Sequence, residues 1–260
     1  MMSVTITDHV AFIAFWLGFS RWVAVLMQIP LFDNVAVPGI VKILTSFMIA
    51  WAFHPLVSPV LRQEILAVGT NHLWYLTMVH VGTGLCLGFF VKSFLSLYAA
   101  TGTILTQQVG FASVSYFDPT QAQQSGPFEK LIQWVMIVLI ITSGALGPMF
   151  RGVVESFYSV NSMSLGRMAS SHIYFTEVFK GIFTAAIMLA APLIFANLLV
   201  NLVFGIVSRT IPQMNVLMVS FVVNIGMGLL LFIAISGEFF EVGFGIYVEK
   251  LGQWFQFFAR

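Results

Sequence analysis

The sequence predicts an all-α membrane protein, and two observations carry that prediction. Of 260 residues, 59% are hydrophobic and 8% charged, with a mean hydropathy of +0.96. Soluble domains carry about 25% charged residues, so this chain has too few to cover a water-facing globule. The second observation is a pair of long runs, Gly181–Ser208 and Thr210–Gly237, of 28 residues each. Arg209 between them is the only charge from Gly181 to Gly237. Each run is roughly 42 Å long as a helix, and about 20 apolar residues cross a bilayer core. Two such runs around a tight break read as a membrane hairpin.

The same composition excludes several functions. A net charge of +1 gives no basic footprint for nucleic acid. Cys86 is the sole cysteine, so an intrachain disulfide and a cysteine-rich metal site are both out. No basic residue precedes His9, and the apolar run that follows lacks a clear cleavage site, so a cleavable signal is not expected. His9, His54, His72, His80 and His172 are not spaced as ligand pairs. Asp8, Asp33 and Asp118 lie outside the strong apolar runs, which leaves an intramembrane aspartyl protease without its pair. Gly18-Phe19-Ser20 lacks the trailing glycine of a hydrolase elbow. No catalytic set, metal or cofactor is expected.

The elements follow in order. Val10–Phe32 is apolar but holds Arg21 near its middle. An arginine at the centre of a membrane helix costs about 2.5 kcal/mol or more, so Arg21 is expected to face protein and serve helix packing. Asp33–Lys42 is a break containing Pro38-Gly39. Ile43–Leu61 is apolar and is expected to end among Pro55 and Pro59, with Arg62–His72 as a connection. Leu73–Val91 and Ser93–Gly110 flank Lys92. Within the first of these, Gly84-Leu-Cys-Leu-Gly88 spaces two small residues so that another backbone can approach, and Gly82 extends that smooth face. Leu131–Pro148 is a further apolar span, Arg151–Lys180 the longest polar stretch, and Glu238–Arg260 follows the hairpin. The tally is six or seven hydrophobic helices. Lysine and arginine are too scattered to fix an orientation.

The segment from Phe111 to Pro127 has a different texture. Gly110 can end the preceding helix, Asp118-Pro119 favours a turn, and Gly126-Pro127 marks another. Irregular backbone at membrane depth survives only inside protein or beside a water-filled cavity. The alternative is an exposed loop outside the bilayer. Ser113, Ser115, Tyr116 and Phe117 give the segment small, aromatic and uncharged polar groups, which suit a reversible steric block.

The hairpin break reads Ser208-Arg-Thr-Ile-Pro-Gln-Met-Asn215. Pro212 marks a helix boundary, Gln213 and Asn215 can satisfy freed backbone groups, and Arg209 suits a helix C-terminus. Inside the arms, Asn197 and Asn201 are four residues apart and share a face. Asn224 lies about as far beyond the break as Asn197 lies before it, so the three can meet as a polar seam. That seam reads either as hydrogen-bonding glue between helices or as the lining of a conduit.

With its flanking arms, this break resembles the C-terminal signature of the FliR family, the R component of the bacterial flagellar type III protein export gate, which has an equivalent in virulence secretion. Arg21, Pro30, Phe32, Val37-Pro38 and Lys42 resemble the family's N-terminal pattern. Gly82, Gly88, Gly102, Gln108, Gly110 and Asp118-Pro119 resemble its central one, and Ser156-Phe157 a later one. His80 departs from the family, standing where many relatives carry an acid.

The resemblance implies helical hairpins packed into a hetero-oligomeric export gate. Met1–Lys180 would be similar to the P subunit, and Gly181–Arg260 would contain a hairpin similar to the Q subunit. It implies a non-enzymatic subunit without cofactors that joins P- and Q-type subunits around a channel for unfolded flagellar proteins. The stretch Gly110–Gly126 would plug the closed channel. The Arg209–Asn215 turn would face the cytoplasm near the B-type export switch subunit, with the whole in the bacterial inner membrane at the flagellar basal body. The rival from the residues alone is a small-solute secondary transporter or channel using polar midplane sites.

Overall fold

The structure, a computed structural model, describes residues 9–29, 38–111, 126–160, 172–211 and 216–259, and among these it contains helices and no strand. The helices are α1 His9–Leu26, α2 Gly39–Val68, α3 Leu73–Val109, α4 Pro127–Thr142, α5 Leu146–Ser159, α6 His172–Thr210 and α7 Val216–Ala259. Five are long and apolar enough to cross a membrane, or six if α4 and α5, bent by 74° at their junction, make one broken span. The chain is an all-α membrane protein.

Several boundaries differ from the sequence expectation. Pro55 and Pro59 lie inside α2, which runs on through the expected connection to Val68. A helix that packs on neighbours tolerates prolines, because nearby groups and local adjustment re-satisfy the freed carbonyls. Lys92 interrupts nothing: α3 is one helix of 37 residues. The span expected to reach Pro148 turns instead at Ser143, where Gly144 adopts φ +74°, and α5 begins at Leu146. The two arms of the hairpin are longer than the apolar runs, 39 residues for α6 and 44 for α7, so α7 carries Glu238 and Glu241 within it. Polar residues outside the bilayer core do not end a helix; only the apolar run is bounded by the membrane.

The chain forms two compact units. The first comprises Met1–Ser93, Ala145–Thr176 and Lys250–Arg260. Here α1 is sandwiched. On one side Gly18 packs on Leu61 and Val57 of α2, 3.7 and 4.0 Å from where a Cβ would stand. On the other, Gly84 and Gly88 of α3 let the α1 backbone in. A Cβ on Gly84 would lie 2.6 Å from the Arg21 carbonyl oxygen, and one on Gly88 would lie 3.0 Å from that of Val25. Gln28 donates to the Leu85 carbonyl across the same seam at 2.7 Å. Gly82 does not join them: two residues from Gly84 is just over half a turn, so it lies on the opposite face, and its missing side chain points into open space. Trp22 stacks on Phe53 of α2 and meets Phe150 of α5, with ring centroids 5.5 and 5.8 Å apart. Trp254, near the end of α7, stacks on Phe90 of α3 at 3.8 Å.

The second unit comprises Phe94–Gly144 and Glu177–Glu249. Its core is the C-terminal part of α3 against α4, α6 and α7. Tyr98 donates to the Gly243 carbonyl of α7 at 2.8 Å, and Thr101 reaches the Ala186 carbonyl of α6 at 3.4 Å. Phe232 of α7 meets Phe128 of α4 edge-on at 5.0 Å.

Candidate functional site

Three constellations carry the residues singled out by the sequence. In the second unit, the ends of the Gly110–Gly126 segment are both held, by α3 and α4 packed nearly backbone to backbone. Gly102 on α3 has no room for a methyl group, since a Cβ there would stand 2.4 Å from the Cα of Glu129. Thr103 donates to the Glu129 carboxylate at 3.0 Å. One turn further, Gly126 sits where a Cβ would be 2.4 Å from the Thr106 hydroxyl. Gly126 caps α4, Pro127 takes the first helical position, which needs no N–H, and the Gly126 carbonyl accepts from Lys130 at 3.1 Å. At the other end, Gly110 turns the chain out of α3 with φ +93°, a conformation that favours glycine. Phe111 then packs edge-on to Phe128, ring centroids 5.9 Å apart. Ser113, Ser115, Tyr116, Phe117, Asp118 and Pro119 lie outside the described residues. The segment therefore leaves and re-enters one rigid helix pair at adjacent positions.

The three asparagines lie beside that anchor. Asn197 donates to the Gln108 carbonyl of α3, Asn201 donates to the Asn197 side-chain oxygen one turn below it, and Asn224 of α7 donates to Asn201 at 3.2 Å. This chain of amides ties α3, α6 and α7 together. The Asn224 side-chain oxygen is buried and takes no bond from the protein. The cavity bordered by Gln108, Asn197, Asn224 and Gly228 is about 10 Å³, which is room for roughly one water and none for a solute. Gly228 closes it, because a Cβ there would stand 2.5 Å from a Val109 methyl. At the hairpin break, Arg209 is exposed in the last turn of α6, where the helix dipole favours a cation. Pro212, Gln213 and Asn215 lie outside the described residues.

The third constellation is in the first unit. Arg21 is fully buried. Its guanidinium donates to the Ser156 carbonyl at 2.8 Å, the Ser156 hydroxyl at 3.1 Å and the Val160 carbonyl at 3.0 Å. These carbonyls end α5, so the fork of one arginine caps a helix C-terminus from inside the protein. The guanidinium carbon also lies 4.2 Å from the centre of the Phe157 ring. His80 stacks on that ring at 6.0 Å and meets the buried Glu64 carboxylate, Nε2 to Oε2, at 3.2 Å. Glu64 lies within electrostatic reach of Arg21. One buried cation, one buried carboxylate and an imidazole thus gather α1, α2, α3 and α5. The sequence singled out Arg21 and noted His80, and it missed Glu64. The signal available for Glu64 was its setting: it is the single acid in a 30-residue helix of mostly apolar residues.

Among the described residues no group of three or more histidine, cysteine, aspartate or glutamate side chains could hold a metal ion. Close-packed apolar helices, buried polar ties and a segment with both ends held define an integral membrane protein whose distinctive parts are packing devices. The family follows from comparison with known proteins. Residues 12–247 match the model of the bacterial export proteins, family 1, and the chain belongs to that family. It is similar to the flagellar biosynthetic protein FliR of Bacillus subtilis (strain 168), 27% identical over 234 residues that cover 89% of each chain. The FliR proteins of Escherichia coli (strain K12) and Aquifex aeolicus (strain VF5) are 22% and 23% identical over 225 and 231 residues, covering 85% and 87% of this chain. The FliR resemblance read from the hairpin break and the glycines thus holds over most of the chain.

Proposed function

We propose that the chain is a core subunit of the flagellar type III protein export gate. It sits in the bacterial inner membrane at the basal body and, with P- and Q-type subunits, surrounds the channel for unfolded flagellar proteins. In this reading residues 1–180 are the P-like part and 181–260 the Q-like part, joined by continuous helix because Lys180 falls inside α6. The hairpin break contacts the B-type switch subunit. The energy for export comes from partners.

The observation that carries the reading is the anchoring of Gly110–Gly126. A plug must be held at its ends and free to yield between them. Gly102 against Glu129, Gly126 against Thr106 and Phe111 against Phe128 supply the hold. Phe111, Tyr116 and Phe117 seal by apolar contact, while the serines and glutamines of the segment let it retract. The transporter reading asks for a solute-sized cavity beside the asparagines, and the small cavity there, about 10 Å³, supports the reading of the asparagines as glue.

The test replaces residues 112–125 by a short glycine-serine linker, keeping Gly110, Phe111 and Gly126, in the assembled gate. Ion or small-solute permeability of membranes bearing the altered gate is expected to rise. Permeability equal to that of the natural chain refutes the plug.

A further inference from the structure

The two ends of the Gly110–Gly126 segment share a third support, which the packing of α3 on α4 does not supply. Phe221, Ile225, Gly228 and Phe232 of α7 follow at spacings of four, three and four residues, so they return to one face of the helix over about 16 Å. That face meets both ends. The Phe221 ring and Ile225 lie over Gly110, 3.6 and 4.0 Å from where a Cβ would stand. Gly228 receives the Val109 side chain, whose Cβ is 3.1 Å from where a Cβ on Gly228 would stand. Phe232 meets Phe128, two residues beyond Gly126, at 5.0 Å, and Phe128 in turn carries Phe111 at 5.9 Å. Phe128 and Phe232 are both buried, so this link lies inside the unit.

The supports differ in how readily they yield. Helices α3 and α4 meet backbone to backbone at Gly102 and are tied by Thr103 and Glu129. Between α3 and α7, Gly110 and Gly228 each take a side chain and offer none, so neither contact interlocks from the glycine side. The cavity of about 10 Å³ is bordered by the same Val109 and Gly228, and the Asn224 oxygen takes no bond from the protein. A void deprives its lining of contacts. Parting α7 from α3 opens that oxygen to water, which supplies the bond. Of the two supports, the α7 face is the easier to open.

We propose that α7 is the keeper of the plug. While Phe221, Ile225, Gly228 and Phe232 press on its two ends the segment stays seated, and it yields when that face parts from the last turn of α3. The four are positioning residues, acting through Val109, Gly110, Phe111 and Phe128. The inference deepens the plug reading and rests on it. Phe221 follows Val216, the first residue of α7, by five residues, roughly 8 Å. A pull at the hairpin break therefore reaches the stem of the plug within the first two turns of α7.

The experiment pairs a lock with a wedge, in the full chain within gates in their native membranes. V109C/G228C in a C86S chain joins two Cβ positions 3.1 Å apart, a few tenths short of the disulfide range of about 3.5–4.5 Å. With the bond formed, export of a flagellar protein into inverted vesicles should fall about tenfold with ion leak unchanged, and reduction should restore it. G228A is the wedge, since its Cβ would stand 2.5 Å from a Val109 methyl, and it should raise ion leak about fivefold. V109A/G228A removes that methyl and should bring leak most of the way back, a rescue that general loss of stability does not give. Gly226 faces open space two residues away, so G226A should leave leak as it is. Full export with the bond formed overturns the keeper. Should the bond not form, leak in G228A no greater than in G226A overturns it. The chain with residues 112–125 replaced by a linker, run alongside, separates the two readings. If it leaks and G228A does not, the keeper falls and the plug stands; if it does not leak, the plug reading itself falls.

Discussion

Replacing Arg21 by methionine should loosen the end of α5 and leave the anchor around Gly102 and Gly126 as it is. Methionine fills a similar volume, so the change removes charge and donors more than packing. Three hydrogen bonds go, to Ser156 oxygen atoms at 2.8 and 3.1 Å and to the Val160 carbonyl at 3.0 Å. The losses are unequal. The Ser156 carbonyl still accepts from the Val160 N–H at 3.0 Å, and the Ser156 hydroxyl still donates to Val153 at 2.6 Å. The Val160 carbonyl has no such reserve within its own helix, and Glu64 loses its nearby cation.

A hydrogen bond to a charged group contributes about 1.5–3 kcal/mol, so losing those from Arg21 amounts to about a hundredfold or more in an opening equilibrium. Hydrogen exchange of the purified particle reads this directly. The amides from Phe157 to Val160 should exchange about a hundredfold faster in R21M, with those of α4 unchanged. The double variant R21M/E64Q should lose less than the sum of the two single changes, because the second removes the negative charge that Arg21 no longer balances. Unaltered exchange at the end of α5, or strict additivity, would falsify the assignment of Arg21 as an internal helix cap balanced by Glu64.

Further outcomes follow from the same geometry. Gly102→Ala should push α4 from α3 by about 1 Å, since its Cβ would otherwise stand 2.4 Å from the Cα of Glu129; overpacking of this kind costs about 1–3 kcal/mol and should appear as a lower thermal midpoint together with raised leak. Gly84→Ala should act in the same range on the α1–α3 seam, where its Cβ would meet the Arg21 carbonyl at 2.6 Å, and should lower the thermal midpoint with no leak. Asn201→Leu breaks the amide chain in its middle and should cost only about 1 kcal/mol, the scale of interhelical hydrogen bonds in membranes; a complete loss of export in a stably folded N201L chain would restore the conduit reading. Arg151→Ala removes an exposed helix-face pair with Glu155 at 2.7 Å and should change stability by less than about 1 kcal/mol.

Much of this was legible in the sequence, and the residues show why the rest was not. An arginine inside an apolar run announces that it is buried, because lipid will not hold it cheaply. Its partners are 135 and 139 residues away, beyond any local pattern. The asparagine seam was legible because helical spacing and symmetry about a break are properties of one hairpin. The paired glycines announced a close approach but not that α1 makes it. Pro55, Pro59, Lys92 and Glu238 misled about boundaries, since rules for ending helices in water weigh less where the alternative is an unbonded backbone in an apolar setting. Gly102 was legible as part of the family's central pattern, but nothing in the sequence pointed to Glu129 as the residue it packs against.

The central claim is that these helices are built to be covered by sibling subunits, and one mass decides it. The chain, extracted in mild detergent from its own membranes and weighed intact, should run as a particle that contains P- and Q-type membrane proteins in fixed ratio with it. A homogeneous species of this chain alone, carrying a solute across a bilayer after reconstitution, would contradict the account.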